Sequence, residues 1–198
     1  MDKPTQLKGI EQGRAEFAYK CAEQIITLKT FTGCSNQIIK IVYEKRFQDK
    51  LKNSNNREIL NDFFNEPEAL VKQSSQEQDE SFQKKIYNYY TKQMKEYKSY
   101  AKKIPMLIKT NGLGTTFAFM MSKGGTYEII GEQVLAWLKF DNKKLLPDAN
   151  GIENFSELTQ KVVELNSLEY RALTLEVLSF LNWLRRFADG LIEGEDNA

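Results

Sequence analysis

The side chains that could do chemistry in this sequence are mainly lysines, and they are concentrated in one stretch. Residues 84–123 contain nine lysines and one acidic residue, Glu96, which gives a local charge of +8. Residues 58–80 contain seven acidic residues and one lysine, a local charge of −6. The chain of 198 residues has a formal net charge of only +1, so the average hides a basic segment beside an acidic one. A clustered basic segment is typical of a surface that binds a polyanion.

Other patterns argue against catalysis. The sequence contains no histidine, which excludes Ser-His and Cys-His nucleophile pairs and every metal site with a histidine ligand. Gly112-Leu113-Gly114 lacks the third glycine of a dinucleotide fingerprint, and it is not a phosphate-binding loop. Glu66 and Glu68, or Asp79 and Glu80, lie in polar sequence where solvated acids are the norm. We therefore predict no catalytic residue, no metal site and no cofactor.

The two cysteines and the hydropathy pattern bear on location. Cys21 and Cys34 form no CxxC motif, and Cys21 lies in an apolar helical register that predicts a buried thiol. No segment reaches the roughly 20 apolar residues that a membrane span needs, and the start lacks the apolar core of a signal peptide. We expect a cytoplasmic protein without a membrane partner.

The basic segment is predicted to begin with a long amphipathic helix over residues 81–104. Its apolar residues recur every three or four positions and fall within an arc of roughly 80°. Seven lysines fall on an opposite arc of roughly 140°. Pro105 is predicted to end or kink this helix, because it lacks an amide hydrogen. The predicted buried stripe consists of Ile86, Tyr90, Met94, Tyr97, Ala101 and Ile104.

Two interpretations of the lysine arc remain open at this point. A lysine-rich outward face is usually just a solvated face. The scarcity of acids here, and the amides and hydroxyls offered by residues 110–116 at a helix start, favour a phosphate-binding surface instead. Tyr90 and Tyr97 are predicted to pack in the core, whereas Tyr89 and Tyr100 lie outside both arcs and could stack on a base.

The remaining sequence predicts further helices and no strand. Asn154 with Glu157, and Asn166 with Glu169, have the spacing of helix-starting capping boxes. Further helices are predicted at 12–29, 37–51, 105–110, 113–121, 127–138, 155–165 and from 167 to a fraying end at Gly190. Gly33 is predicted to stop the first of these helices, and the second is predicted to bury Ile38, Ile41 and Val42. We therefore predict a single all-α domain over residues 1–198, a compact bundle of about seven or eight helices. The turn-rich stretch from 52 to 79 is predicted to consist of short helices and loops, anchored by Phe63, Phe64, Leu70 and Val71.

Two segments of the sequence resemble a known family. Residues 97–119 read YKSYAKKIPMLIKTNGLGTTFAF, and residues 169–172 and 181–188 read EYRA and LNWLRRFA. These segments resemble the central signature and the C-terminal helix of the small subunit of the Cmr-type (type III-B) CRISPR RNA-guided complex, and residues 12–22 are similar to its first helix. Residues 33–80 depart from the compact members of that family and are interpreted as an insertion.

The resemblance implies a helical subunit without catalytic activity in an antiviral CRISPR effector complex. Copies of such a subunit stack head to tail and line the groove that receives target RNA paired to guide RNA, beside the other subunits. The alternative is a helical assembly subunit that contacts only proteins. The lysines of the matching signature, together with four second-tier cations, are the predicted RNA contacts: Lys98, Lys102, Lys103 and Lys109, then Lys123, Arg171, Arg185 and Arg186. The two arginines at 185 and 186 could instead cap the end of their helix, with Asp189 pairing with Arg185.

Overall fold

The computed structural model describes residues 6–31, 34–69, 81–141, 143–146 and 148–193. Within these residues the chain forms eight complete α-helices, two short 3-10 turns at Lys50–Lys52 and Ala149–Gly151, and no strand beyond one bridge between Phe31 and Cys34. The all-α prediction is confirmed. In chain order the helices are α1 Gln6–Thr27, α2 Gln37–Phe47, α3 Ser54–Asn65, α4 Phe82–Asn111, α5 Leu113–Lys123, α6 Thr126–Phe140, α7 Phe155–Glu164 and α8 Ser167–Leu191.

The long helix α4 continues through the predicted break at Pro105. Ser81 caps its start by accepting a hydrogen bond from the amide of Lys84, and the helix runs to Asn111. A proline inside a helix costs about 3 kcal/mol, but Ile104 and Ile108 on either side of Pro105 are both buried. Burying two such side chains contributes roughly 1.5–3 kcal/mol each, which offsets the lost hydrogen bond. The predicted separate helix at 105–110 is therefore the last part of α4.

The predicted stripe of α4 is buried, with one addition and one exception. Ile86, Tyr97, Ala101 and Ile104 are fully buried, and Tyr90 nearly so. The exception, Met94, is only half-buried. The added residue is Gln93, whose polar side chain the apolar pattern could not reveal.

Helix α2 differs from its prediction in length and in register. It ends at Phe47 rather than at residue 51, and its buried residues are Ile39, Val42, Tyr43 and Phe47. Ile38 and Ile41, predicted to be buried, are only half-buried. Aromatic packing determines which side of α2 is buried, because the Tyr43 ring contacts both Phe63 and Tyr89.

The segment predicted as an insertion contributes to the core in its described part. Phe63 of α3 is fully buried and Phe64 is half-buried, so both predicted anchors in α3 contact the body. Leu70 and Val71 lie outside the described residues, as does Gly33, the predicted end of the first helix. That helix, α1, ends at Thr27.

The two predicted capping boxes start α7 and α8. Asn166 and Glu169 form the complete reciprocal box of α8. At α7, the Asn154 side chain accepts from the Glu157 amide at 3.0 Å. The Glu157 carboxylate accepts from the amide of Glu153 at 2.7 Å rather than from the amide of Asn154, so only half of this box has the predicted form.

Helix α8 lies at the centre of the bundle, packed against α1 on one side and α4 on the other. Its Glu176 forms a buried bidentate ion pair with Arg14 of α1, with both nitrogen–oxygen distances at 2.9 Å. Trp137 of α6 donates to the same carboxylate at 3.0 Å, and Lys143 also binds it. The apolar periodicity gave no sign of this charged cluster, which fixes α1, α6 and α8 relative to one another.

We expect Gly131→Ala to destabilise the protein. A Cβ at this position of α6 would lie 2.5 Å from ring atoms of Phe155, an overpacking that costs about 1–3 kcal/mol. Gly13→Ala is the matched control, because nothing lies within 4 Å of its added Cβ and alanine favours a helix by up to about 1 kcal/mol. Urea unfolding followed by circular dichroism measures both, and equal stability of the two variants would contradict this packing.

We expect Glu176→Gln to lower the free energy of unfolding by up to about 3–5 kcal/mol at pH 7, because it removes the buried counter-charge of Arg14 and leaves only the more exposed Glu11 to pair with it. Burial alone would raise the pKa of Glu176, but hydrogen bonds and charges from Arg14 and Lys143 outweigh it and lower that pKa. The stabilisation is therefore present above the unfolded-state pKa of about 4.3 and disappears as pH falls through the lower native pKa.

Urea unfolding of the wild type and Glu176→Gln at pH 7 and at lower pH tests this expectation. The stability difference should shrink as pH falls. The exposed Glu16, which pairs with Lys20, provides the control Glu16→Gln, with an expected change within about 0.5 kcal/mol. A difference for Glu176→Gln that does not vary with pH would contradict the proposed role of its charge.

Candidate nucleic-acid interface

Helix α4 carries the predicted lysines along one outward side. Its 30 residues span about 45 Å at 1.5 Å per residue, and the apolar stripe holds the opposite side in the core. Lys102, Lys103 and Lys109 are exposed. Among the described residues, Lys102 has an ion pair, and Lys103 and Lys109 have none. The helix therefore presents ammonium groups to solvent over much of its length.

Lys98 does not point freely into solvent as the sequence predicted. Its side chain is 14% exposed, and its Nζ lies 3.0 Å from the Ile192 carbonyl oxygen and 3.4 Å from Asp189. Lys102 lies 2.6 Å from the same Asp189 carboxylate. Counting the acidic residues near the lysines in the sequence could not reveal this partner, because Asp189 lies on α8, far along the chain from residues 84–123.

The Asp189 carboxylate is held in its charged form by these lysines. Hydrogen bonding from Lys102 lowers the pKa of Asp189 below its usual range, and together with Lys98 it outweighs the opposing effect of burial. The predicted pair between Asp189 and Arg185 is absent from the described residues, where both ion pairs of Asp189 are with the α4 lysines. The stronger contacts come from across the bundle rather than from its own helix.

The packing of α8 along α4 brings two of the predicted arginines, Arg171 and Arg185, to the same side as Lys98 and Lys102. Asp189, near the C-terminal end of α8, meets Lys98 and Lys102 in the middle of α4, and Tyr170, near the start of α8, accepts a hydrogen bond from Gly114 just beyond the C-terminal end of α4. The two helices are therefore antiparallel. We call the surface they share the α4–α8 face; its cations are Lys98, Lys102, Lys109, Arg171 and Arg185.

These two arginines are distributed along this face. Arg171 follows Tyr170 at the end near Gly114, and Arg185 precedes Asp189 by one helical turn at the other end. Both side chains are exposed. Arg186 is also exposed, but its guanidinium lies 5.5 Å from the centre of the Trp183 ring, and Trp183 donates a hydrogen bond to Glu11 of α1, so Arg186 lies on the α1 side of α8 and not on this face.

Lys123 lies apart from the α4–α8 face, on the other flank of α4. Its ammonium group is 5.7 Å from the centre of the Phe119 ring, which contacts Tyr127. Tyr127 stacks on Tyr100 at 3.9 Å, and Lys103 follows Tyr100 by three residues on α4. The structure thus places Lys103 and Lys123 on a second edge of the basic surface.

The tyrosines of α4 serve different purposes. Tyr90 and Tyr97 are buried as predicted; Tyr90 donates to the Ile26 carbonyl at 2.7 Å and Tyr97 to Gln133 at 2.6 Å. Tyr100 is covered by its stacking on Tyr127. Tyr89 packs against Tyr43 and Phe47 at the edge of the molecule.

The helix start at residues 110–116 is less available to phosphate than its sequence indicated. The Gly114 amide donates to the Tyr170 hydroxyl oxygen at 3.0 Å, and the Thr116 hydroxyl donates to the Gly112 carbonyl at 2.8 Å. The Thr110 hydroxyl donates to Met106 within its own helix. Internal partners therefore already take up much of this hydrogen-bonding capacity.

The part of the chain that the structure describes contains neither a metal cluster nor a membrane span. No group of three or more Cys, Asp or Glu side chains there could hold a metal ion. No helix in the same residues is long and apolar enough to cross a membrane.

Comparisons with known proteins bear on the segment that forms this surface. The sequence pattern of the family described as CRISPR-associated protein (Cas_Cmr5) matches residues 70–191, more than half of the chain. "CRISPR system Cmr subunit Cmr5" of Thermus thermophilus is 32% identical over 99 residues, which cover 50% of this chain and 76% of that protein. The crystal structure of a CRISPR-associated Cmr5 family protein from the same organism covers 63% of this chain and 89% of its own, with 25% identity and a TM-score of 0.41. The chain therefore belongs to the Cas_Cmr5 family of CRISPR-associated proteins, as the resemblance in its sequence predicted.

Proposed function

We propose that this protein is the non-catalytic small subunit of a type III-B Cmr CRISPR effector complex and binds the backbone of target RNA through the α4–α8 face. Its partners are the RNA duplex of guide and target, the other subunits of the complex, and further copies of itself stacked head to tail. The observation that carries the proposal is the antiparallel packing of α4 and α8, which supports cations from two distant sequence segments acting on one surface. The cytoplasmic location expected from the sequence remains a prediction.

The chemistry of the surface suits a phosphate backbone better than a particular base sequence. Lysine ammonium groups neutralise phosphates and release counterions, so the affinity should fall steeply with salt and depend little on sequence. Arginine guanidinium groups add bidentate contacts to phosphate oxygens. A single face of this size binds weakly, and repetition of the subunit along one strand raises the overall affinity.

A second candidate function is assembly through protein contacts alone. Leu168 and Leu175 are 79% and 62% exposed, and their spacing of seven residues places both on one side of α8. Met106 of α4 is 70% exposed. Contiguous apolar patches mark protein interfaces whereas single exposed apolar side chains are common, so the pair on α8 favours this role only weakly and the RNA-binding role needs a direct test.

We expect the triple variant Lys102→Ala, Lys103→Ala and Lys109→Ala to weaken RNA binding while retaining the helical circular-dichroism signal. All three side chains are exposed, so their removal should not disturb the core. Losing three phosphate contacts should reduce the slope of log affinity against log salt by about 2. Fluorescence anisotropy with a labelled single-stranded RNA at several salt concentrations measures the effect.

The matched control removes the same charge elsewhere, through Lys20→Ala, Lys139→Ala and Lys161→Ala on α1, α6 and α7. This control should retain the affinity and the salt slope of the wild type. Equal binding by the two triple variants would contradict RNA contact through α4 and would favour the protein-only role.

We expect Asp189→Asn to raise RNA affinity about three- to tenfold, because its carboxylate competes with phosphate for Lys98 and Lys102. The control Glu23→Gln removes one exposed acid from α1 and should have little effect. The same anisotropy titration measures both variants. An unchanged affinity for Asp189→Asn, with the lysine variant still weakened, would show that Asp189 does not compete with RNA.

A further inference from the structure

A basic pocket, separate from the α4–α8 face, lies at the opposite end of α4 from Gly112. It has a volume of about 450 Å³, in the range of pockets that hold small ligands. It is formed by the end of α2, the 3-10 turn after it, and the N-terminal half of α4. The residues that matter here are Arg46, Phe47, Lys50, Lys85, Tyr89 and Lys92.

The pocket brings together cations from segments that are far apart in sequence. Arg46 and Lys50 come from the α2 side, and Lys85 and Lys92 come from α4; all four side chains are exposed or half-exposed. The acidic residue on its lining, Asp49, already pairs with Lys52 at 3.0 Å. Lys92 has a longer contact of 3.5 Å with Glu96. The pocket therefore keeps a positive excess that an anion would neutralise.

One wall of the pocket is aromatic and firmly held. The Tyr89 ring packs edge-on against Tyr43 and Phe47, with centroid distances of 4.9 and 5.6 Å. The Arg46 guanidinium lies 5.8 Å from the centre of the Tyr89 ring. A cation over an aromatic ring, with more cations nearby, offers stacking to a base and charge to a phosphate within one space.

We propose that this pocket binds one nucleotide of a single-stranded part of the RNA, with its base against Tyr89 and its phosphate between the α2 cations and the α4 cations. The inference rests on the proposed function, because Lys85 and Lys92 lie in helical register with Lys103 on the second edge of the basic surface. A strand that crosses α4 from the α4–α8 face to this edge reaches the pocket. Arg46 and Lys50 precede the family-matched residues 70–191, so the α2 side of the pocket belongs to the predicted insertion.

Two measurements test the pocket separately from the α4–α8 face. The first is RNA affinity of the double variant Arg46→Ala and Lys50→Ala, which changes only the α2 side. We expect a three- to tenfold loss and a salt slope reduced by about 1–2. The control double variant, Lys40→Ala and Lys29→Ala, removes two cations that do not line this pocket and should bind like the wild type.

The second measurement is ultraviolet crosslinking of an RNA oligonucleotide that contains 5-iodouridine, followed by mass spectrometry of the crosslinked peptide. We expect the crosslink on Tyr89. Tyr89→Leu should lose the crosslink and bind more weakly, whereas Tyr89→Phe, which keeps the ring, should retain the affinity. Circular dichroism of both variants separates loss of stacking from loss of folding.

The outcomes distinguish this inference from the proposed function. Suppose that the variant of Lys102, Lys103 and Lys109 weakens RNA binding. If the Arg46 and Lys50 variant then binds normally, or if Tyr89 is not crosslinked, the proposal of nucleotide binding in the pocket is wrong and RNA binding by the α4–α8 face remains supported. If only the pocket variants weaken binding, the pocket is supported and the α4–α8 face is wrong. If the wild-type protein binds no RNA in either assay, both are wrong.

Discussion

The basic surface depends on the burial of one side of α4 against the rest of the bundle. Ile86, Tyr97 and Ile104 are fully buried, so α4 cannot rotate without exposing several large side chains to water. Each exposure would cost roughly 1.5–3 kcal/mol. The same constraint keeps the lysine side outward, and it carries the helix through Pro105, so that both halves present cations in one register.

The buried polar groups determine which sides of the neighbouring helices face solvent. Arg14 and Glu176, at 4% and 5% exposure, join α1 to α8 with a directional pair that slides less easily than apolar contacts do. Gln133 of α6 accepts from Tyr97 of α4 and donates to the carbonyl of Cys21 in α1. Because buried polar groups need their partners, these contacts fix the rotation of α8, and hence the outward placement of its arginines.

The α4–α8 face combines available cations with cations that already have a partner. Asp189 neutralises part of the charge of Lys98 and Lys102, which reduces repulsion between neighbouring ammonium groups in the free protein. A phosphate that replaces this carboxylate gains the contacts but must also displace it. Under the proposed function, this balance makes the binding of RNA by one copy weak, and repetition of the subunit along the strand raises the overall affinity.

The sequence alone determined the helical class, the buried stripe of α4, the starts of α7 and α8, and the family, because these depend on local spacing, capping chemistry and ordered motifs. It placed most of the lysines correctly on the outward side of α4, since helical periodicity fixes direction relative to the core. Only the tertiary structure decided that Asp189 meets Lys98, that Glu176 is buried with Arg14, and that Arg46 and Lys85 share a pocket with Tyr89. Contacts between residues far apart in the chain depend on how helices pack, and no local pattern in the sequence encodes that packing.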